Sequence, residues 1–174
     1  MQIIVISGKA RHGKDTVAGI MKDVFEGWGK RVLVVHYGDL LKFICTIFFG
    51  WDGVKDEQGR HMLQYVGTDI IRRQKPDYWV DFVMDMLRMF NDRWDYVIIP
   101  DCRFPNEVNR LVEEGFDTTH IRVIREQFSS TLPEEQQQHL SEIALDDVTP
   151  DVILKNNGTI EELRELVLEL LQRS

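Results

Sequence analysis

Residues 2–16 read QIIVISGKARHGKDT, and this stretch decides the fold. The run 2–7 is short, β-branched and stopped by a glycine, as a buried strand of a parallel sheet is. Residues 8–14 then carry the spacing G-x-x-x-x-G-K after a strand and at the opening of a helix, where a phosphate-binding loop must stand. Glycines let the backbone curl until successive N–H groups face one anion. The helix N-terminus adds roughly half a positive charge aimed at the same point, and Lys14 contributes a mobile point charge. Gly8, Lys9, Arg11, Gly13, Lys14, Asp15 and Thr16 are therefore the expected contacts to a nucleotide's phosphates. Most such loops follow the lysine with Ser or Thr to hold magnesium, whereas this one has Asp15. A carboxylate can serve a hard cation directly or through water, and an acid also suits a first helical turn. Both roles are expected of Asp15, with Thr16 donating to the α-phosphate.

Outward from the loop, apolar residues at helical spacing fill 15–28 and end at Gly29. A strand is expected at 31–36, a helix at 39–49 and a polar, turn-rich segment at 50–59. Helices at 58–74 and 77–92 are separated by Pro76. A strand at 96–99, a helix at 107–114 closed by Gly115 and a strand at 119–124 follow. Residues 129–139 are Gln-rich and aperiodic, and are expected to form a mobile loop. A last strand at 152–154 precedes an Asn157-Gly158 turn and a helix opened by Thr159 and Glu162 as a capping box. Strands that alternate with helices imply right-handed crossovers and a mainly parallel sheet covered on both faces. The reading is a three-layer α/β fold, one domain over residues 1–174.

Composition agrees with a folded domain: 43% of the 174 residues are hydrophobic and 29% charged, without excess Gly or Pro. The formal charge of −8 argues against a nucleic-acid polymer or a membrane surface as partner, since both attract a basic face. Cys45 and Cys102 fit neither a disulfide framework nor a zinc site. No secretory signal and no apolar run near the ~20 residues of a membrane span is visible, so a cytoplasmic protein is expected.

A second carboxylate stands at the end of the apolar run YVIIPD, residues 96–101. Ligands of open α/β sheets bind at the carboxyl ends of strands, so Asp101 reads either as a second metal-site acid or as a turn former. Phosphoryl transfer needs positioning and positive charge more than covalent chemistry. That draws attention to Arg11, Arg72, Arg73, Arg103 and Arg125. Arg72 and Arg73 would equally serve a helix C-terminus or pair with Asp69. His139, Ser141 and Glu142 lack the context of a nucleophilic triad.

Taken together, GKARHGKDT (8–16), LQYVGTDIIRRQKPDYWV (63–80), DCRFPNE (101–107), HLSEIALDD (139–147) and VILKNNGTIEEL (152–163) resemble the phage-type deoxynucleoside monophosphate kinases, in order and over nearly the whole chain. The resemblance implies a P-loop kinase that moves the γ-phosphoryl group of ATP to a deoxynucleoside 5′-monophosphate with Mg²⁺, as a monomer or homodimer. It implies a five-stranded parallel sheet of order 2-3-1-4-5, an acceptor-binding region at about 39–92 and a lid at about 126–142. Asp39 and Lys42 would belong to the acceptor region and Arg72 would grasp the acceptor phosphate. Lys14, Arg103 and Arg125 would stabilise the transferring group, Asp15 and Asp101 would organise the metal, and Asn156, Asn157 and Gly158 would lie against the donor adenine. Tyr65 and Trp79 are candidates to stack on the acceptor base, although helical aromatics are more often core. A similar Gly-Lys-Asp loop occurs in phosphomevalonate-kinase-like enzymes. A kinase of a non-nucleotide phosphate and a regulatory nucleotide-binding ATPase are the alternatives.

Overall fold

In the computed structural model, which describes residues 1–130 and 132–173, strand β1 (Gln2–Ser7) lies at the centre of the sheet. It is flanked by β3 (Tyr96–Cys102) and β4 (Asp117–Ile124), with β2 (Val32–Val34) beyond β3 and β5 (Val152–Lys155) beyond β4. All pairings are parallel and the order is β2-β3-β1-β4-β5. The alternation of side chains along each strand builds two cores. Ile4, Ile6, Ile98 and Val123 pack with α1 (Lys14–Gly27) and α8 (Ile160–Arg173). Ile3, Val5, Val97 and Ile99 pack on the other face with α4 (Tyr78–Met89) and with Leu111 of α5 (Asn106–Glu113). A central strand buried on both faces is why residues 2–7 carry no polar alternation.

Four elements depart from the sequence reading. Strand β2 is three residues long rather than six, as befits an edge. Strand β3 continues through Pro100 to Cys102, and the register against β1 shifts there between Val5 and Ser7, an irregularity at which proline is tolerated. Helix α2 (Gly38–Phe49) is followed by α3 (Glu57–Gln64), which runs on into a π-helical segment, Tyr65–Arg72. Residues 129–139 are not wholly irregular: α6 (Glu134–Gln137) lies within them, and α7 (Leu140–Ile143) follows, capped by the His139 ring, which accepts from the Ser141 N–H. Four-residue helices leave no periodicity to read. Within the expected lid, residue 131 lies outside the described residues. Among the described residues, no helix is long and apolar enough to cross a membrane.

The capping box at the start of α8 forms as read. The Thr159 N–H donates to Glu162 Oε2 at 2.7 Å, and the Glu162 N–H donates to Thr159 Oγ1 at 3.3 Å. Thr159→Ala is expected to lower stability by about 1 kcal/mol, seen as a lower denaturant midpoint at unchanged slope.

Candidate functional site

The phosphate loop is braced from the far ends of β4 and β5. Asn156 Nδ2 donates to the His12 carbonyl at 2.9 Å, and the Arg125 N–H donates to His12 Nδ1 at 3.3 Å. Gly13 has φ 99°, and a Cβ there would lie 2.5 Å from Asn156 Nδ2, so both its conformation and its neighbour exclude a side chain. Arg11 takes a left-handed φ of 64° at the crown of the loop, a conformation held only where its surroundings over-determine it. Lys14 is 8% exposed and folds back, giving Nζ to the carbonyls of Gly8 (2.7 Å) and Lys9 (2.9 Å). Burial, reinforced by the nearby Arg103 charge, lowers its pKa to about 8.

A cavity of about 370 Å³ opens beside the loop, between the carboxyl ends of the strands and α2, α3 and the π-helical segment. Its walls include Lys14, Asp15, Lys42, Lys55, Arg60, Arg72, Asp101, Arg103, Glu107 and Glu142. Asp15 is mostly exposed, and the His36 imidazole at 3.3 Å holds its carboxyl below the usual range. The other His36 nitrogen faces Asp39 at 3.3 Å.

Asp101 spends one lone pair of each oxygen on α2: Oδ1 accepts from the Tyr37 N–H and Oδ2 from the Gly38 N–H, both at 2.9 Å. Arg72 is held by three acceptors and an aromatic ring. Its Nη1 donates to Pro76 O (3.1 Å) and Asn106 Oδ1 (3.2 Å), its Nη2 to Glu107 Oε1 (2.5 Å), and its guanidinium lies 3.9 Å over Phe104. Glu107 Oε2 accepts from the N–H groups of Arg103 (2.6 Å) and Phe104 (3.1 Å). Across the cavity Arg103 Nη1 pairs with Glu142, whose Oε2 accepts from the phosphate-loop N–H of Ala10 at 3.2 Å.

The structure thus brings together Arg11, Lys14, Asp15, Lys42, Arg72, Trp79, Asp101 and Arg103 on one cavity. It does not bring the other expected residues there. Tyr65 is half exposed, stacks on His61 at 6.3 Å and lies outside the cavity's lining. Trp79 reaches the wall only as a core residue, 3% exposed, with Nε1 donating to Gly67 O at 3.2 Å. Asp39 is spent on His36 and Lys42. Arg125 lies over the Phe128 ring at 5.3 Å and is outside the lining. Lys9 points away to Asp146 and the Glu142 carbonyl, Thr16 is exposed, and Asn157 pairs with Glu126.

Glu107, Glu142, His36, Lys55 and Arg60 are cavity residues to which the sequence reading gave no role. Glu107 carried a signal, since it stands four residues before buried Leu111 on the apolar face of α5. The donor set fits a magnesium ion: Mg²⁺ keeps waters and takes one or two carboxylates plus phosphates, Asp15 is open and each Asp101 oxygen retains acceptor capacity. Among the described residues no cluster of three or more metal-ligating side chains exists.

Comparison with known proteins matches residues 53–167 to the family model "Deoxynucleotide monophosphate kinase". Relatives of that name include those of Enterobacteria phage T4, 30% identical over 169 residues, and of Escherichia phage RB69, 27% identical over 115 residues. The matches cover 94% and 65% of this chain, but 64% and 44% of those proteins, so the chain spans less than two thirds of their length. Solved structures of similar fold include a dephospho-CoA kinase from Campylobacter jejuni, with TM-score 0.58 and 12% identity over 99% of this chain and 96% of that one. A sugar kinase from Janibacter sp. gives TM-score 0.56 and 15% identity over 99% and 95%. At these identities the likeness is one of fold.

Two outcomes are expected of this geometry. Glu107→Ala strands a buried guanidinium and two backbone donors, and should cost about 3–5 kcal/mol of stability by denaturant titration. Burial lowers the Lys14 pKa to about 8. An anion stabilises the charged form, so ADP binding near pH 8 should be accompanied by net proton uptake. Calorimetry in buffers of different ionisation enthalpy reads this, and a buffer-independent enthalpy would contradict it.

Proposed function

This chain belongs to the deoxynucleotide monophosphate kinase family, and on that premise we propose that it transfers the γ-phosphoryl group of ATP to a deoxynucleoside 5′-monophosphate, giving ADP and the deoxynucleoside diphosphate. The observation that carries the reading is the anchoring of Arg72. It is fixed by Glu107, Asn106, Pro76 and Phe104 on the wall of the same cavity that Lys14 of the phosphate loop lines. One cavity with two separately built anion contacts suits a reaction that joins two phosphates. The phosphate loop, residues 8–16, would hold the donor, residues 39–92 the acceptor, and residues 126–142 would act as the lid.

In this mechanism the loop's N–H groups and Lys14 grip the β- and γ-phosphates, and Arg72 presents the acceptor phosphate in line. Asp15 and Asp101 would hold Mg²⁺, which would supply charge neutralisation to the reacting phosphates. No general base is required, because the attacking phosphate oxygen is already ionised at neutral pH. Arg103, released from Glu142, would add charge at the reacting end. Asn156 contributes by bracing the loop from behind, which keeps the anion-facing amides in place. Closure of the lid would exclude water and so suppress transfer to it.

The test is ADP release with ATP and Mg²⁺ against each deoxynucleoside and ribonucleoside monophosphate, phosphomevalonate and no acceptor. Strong stimulation by at least one deoxynucleotide is expected. ADP release indifferent to acceptor would identify a regulatory ATPase instead, and stimulation by phosphomevalonate alone a metabolite kinase. Lys14→Ala should lower kcat by about 10²–10³; near-normal turnover would remove the loop lysine from the chemistry.

A further inference from the structure

The segment between α2 and α3 is pinned by more contacts than a connecting turn needs. The Trp51 ring is 8% exposed in a small core with Cys45 and Val66, and its Nε1 donates to the Val54 carbonyl at 3.0 Å. Asp52 Oδ1 accepts from the Val54 N–H at 2.9 Å. Asp56 Oδ1 caps α3 by accepting from the Gly59 N–H at 2.8 Å. Gly59 lies so close that a Cβ there would sit 2.0 Å from the Val54 carbonyl oxygen. These contacts fix the backbone on both sides of Lys55, whose side chain lines the large cavity.

The cations of that cavity differ in how far they are already committed. Lys14, Lys42, Arg72 and Arg103 each donate to protein oxygens, and Arg11 is engaged as well. Lys55 and Arg60 form no side-chain hydrogen bond or ion pair among the described residues. Lys55 shares the cavity wall with Asp15, Lys42, Arg60 and Arg103. Arg60 stands on α3, one turn from Leu63 and Gln64 of the same wall. The segment 126–151, by contrast, contains neither Lys nor Arg, and Arg125 at its entrance lies over Phe128 outside the cavity.

We propose that Lys55 is a catalytic residue of this site, whose ammonium contacts the phosphoryl group in flight between donor and acceptor and supplies the positive charge that the cation-free lid segment lacks. The inference rests on the kinase reading. In the step concerned, the bond from the γ-phosphorus to the ADP oxygen breaks as a bond to the acceptor phosphate oxygen forms. Lys55 neutralises charge on the equatorial oxygens and transfers no proton. A flexible ammonium on a fixed backbone suits this task, since it can follow the group from one side to the other. Because Lys55 forms no side-chain hydrogen bond or ion pair among the described residues, its replacement should change the melting temperature little.

The experiment compares wild type, Lys55→Met and Lys55→Arg in steady-state turnover with the best deoxynucleotide. It also measures binding of ADP and of an adenosine–deoxynucleoside pentaphosphate that spans both subsites. Lys55→Met should lower kcat by about 10- to 100-fold and weaken the pentaphosphate about tenfold, while ADP affinity changes by less than about threefold. Lys55→Arg should recover part of both losses. A Lys55→Met enzyme with kcat within about twofold of wild type, or one that loses ADP and pentaphosphate affinity equally, overturns the assignment while the kinase reading stands. A wild-type protein that neither turns over any deoxynucleotide nor binds the pentaphosphate overturns both.

Discussion

The Glu107 carboxylate is the contact on which the site's geometry depends. It is 2% exposed, and burial raises its pKa in spite of the Arg72 guanidinium beside it. It persists there because every strong donor nearby is aimed at it: the Arg103 and Phe104 N–H groups at the entrance of α5, and Arg72 from the end of the π-helical segment. The Glu107 carbonyl in turn accepts from the Tyr37 hydroxyl at 2.6 Å. Asp101, six residues earlier, takes the N–H groups of Tyr37 and Gly38. The sequence DCRFPNE therefore ties together the end of β3, the start of α5, the start of α2 and the guanidinium of Arg72. A buried ion pair of this kind is weak evidence for stability, since well-packed apolar residues often do as well. Its evident product here is position: Arg72 cannot move without leaving an uncompensated carboxylate.

Charge is distributed against the grain of the whole molecule. The chain carries −8, yet the cavity gathers Arg11, Lys14, Lys42, Lys55, Arg60, Arg72 and Arg103 against Asp15, Asp101, Glu107 and Glu142. A cationic cleft in an acidic protein focuses small anions while the outer surface repels polyanions.

Much of the fold was legible because it is local. Residues 2–16 placed the central strand, the loop and the first helix, and Thr159 and Glu162 placed the last helix, since both signals lie within a few residues. Of the candidate site, Lys14, Asp15 and Asp101 were legible from motifs that carry their own chemistry, and Arg72 and Arg103 as cavity residues from the family resemblance. The Arg72–Glu107 pair joins residues 35 apart, and Glu142 reaches Ala10 over 132; no periodicity encodes either. Tyr65 opens the π-helical segment, whose i→i+5 turns advance side chains out of phase with an α-helix, and it stands outside the cavity's lining. Lys55 sits in a segment that reads as polar connection, and its importance emerges only once Trp51, Asp52, Asp56 and Gly59 are seen to converge on the turn that presents it.

The phosphate loop spends part of its hydrogen-bonding capacity on its own chain. Lys14 gives its ammonium to the Gly8 and Lys9 carbonyls, and Ala10 gives its N–H to Glu142. A buried donor left without an acceptor costs about 1–3 kcal/mol, so an anion at the loop must replace these protein acceptors. Affinity for a phosphate is consequently a difference between two sets of hydrogen bonds rather than the sum of one. The charged set gains because bonds to a doubly ionised phosphate are shorter and stronger than those to a carbonyl. The exchange also has a direction in space. Glu142 belongs to α7, at the end of the segment read as the lid, and holds Arg103 with its other oxygen. An anion that takes the Ala10 N–H therefore acts on α7 and on Arg103 together, which links occupancy of the loop to the arrangement of the wall opposite it.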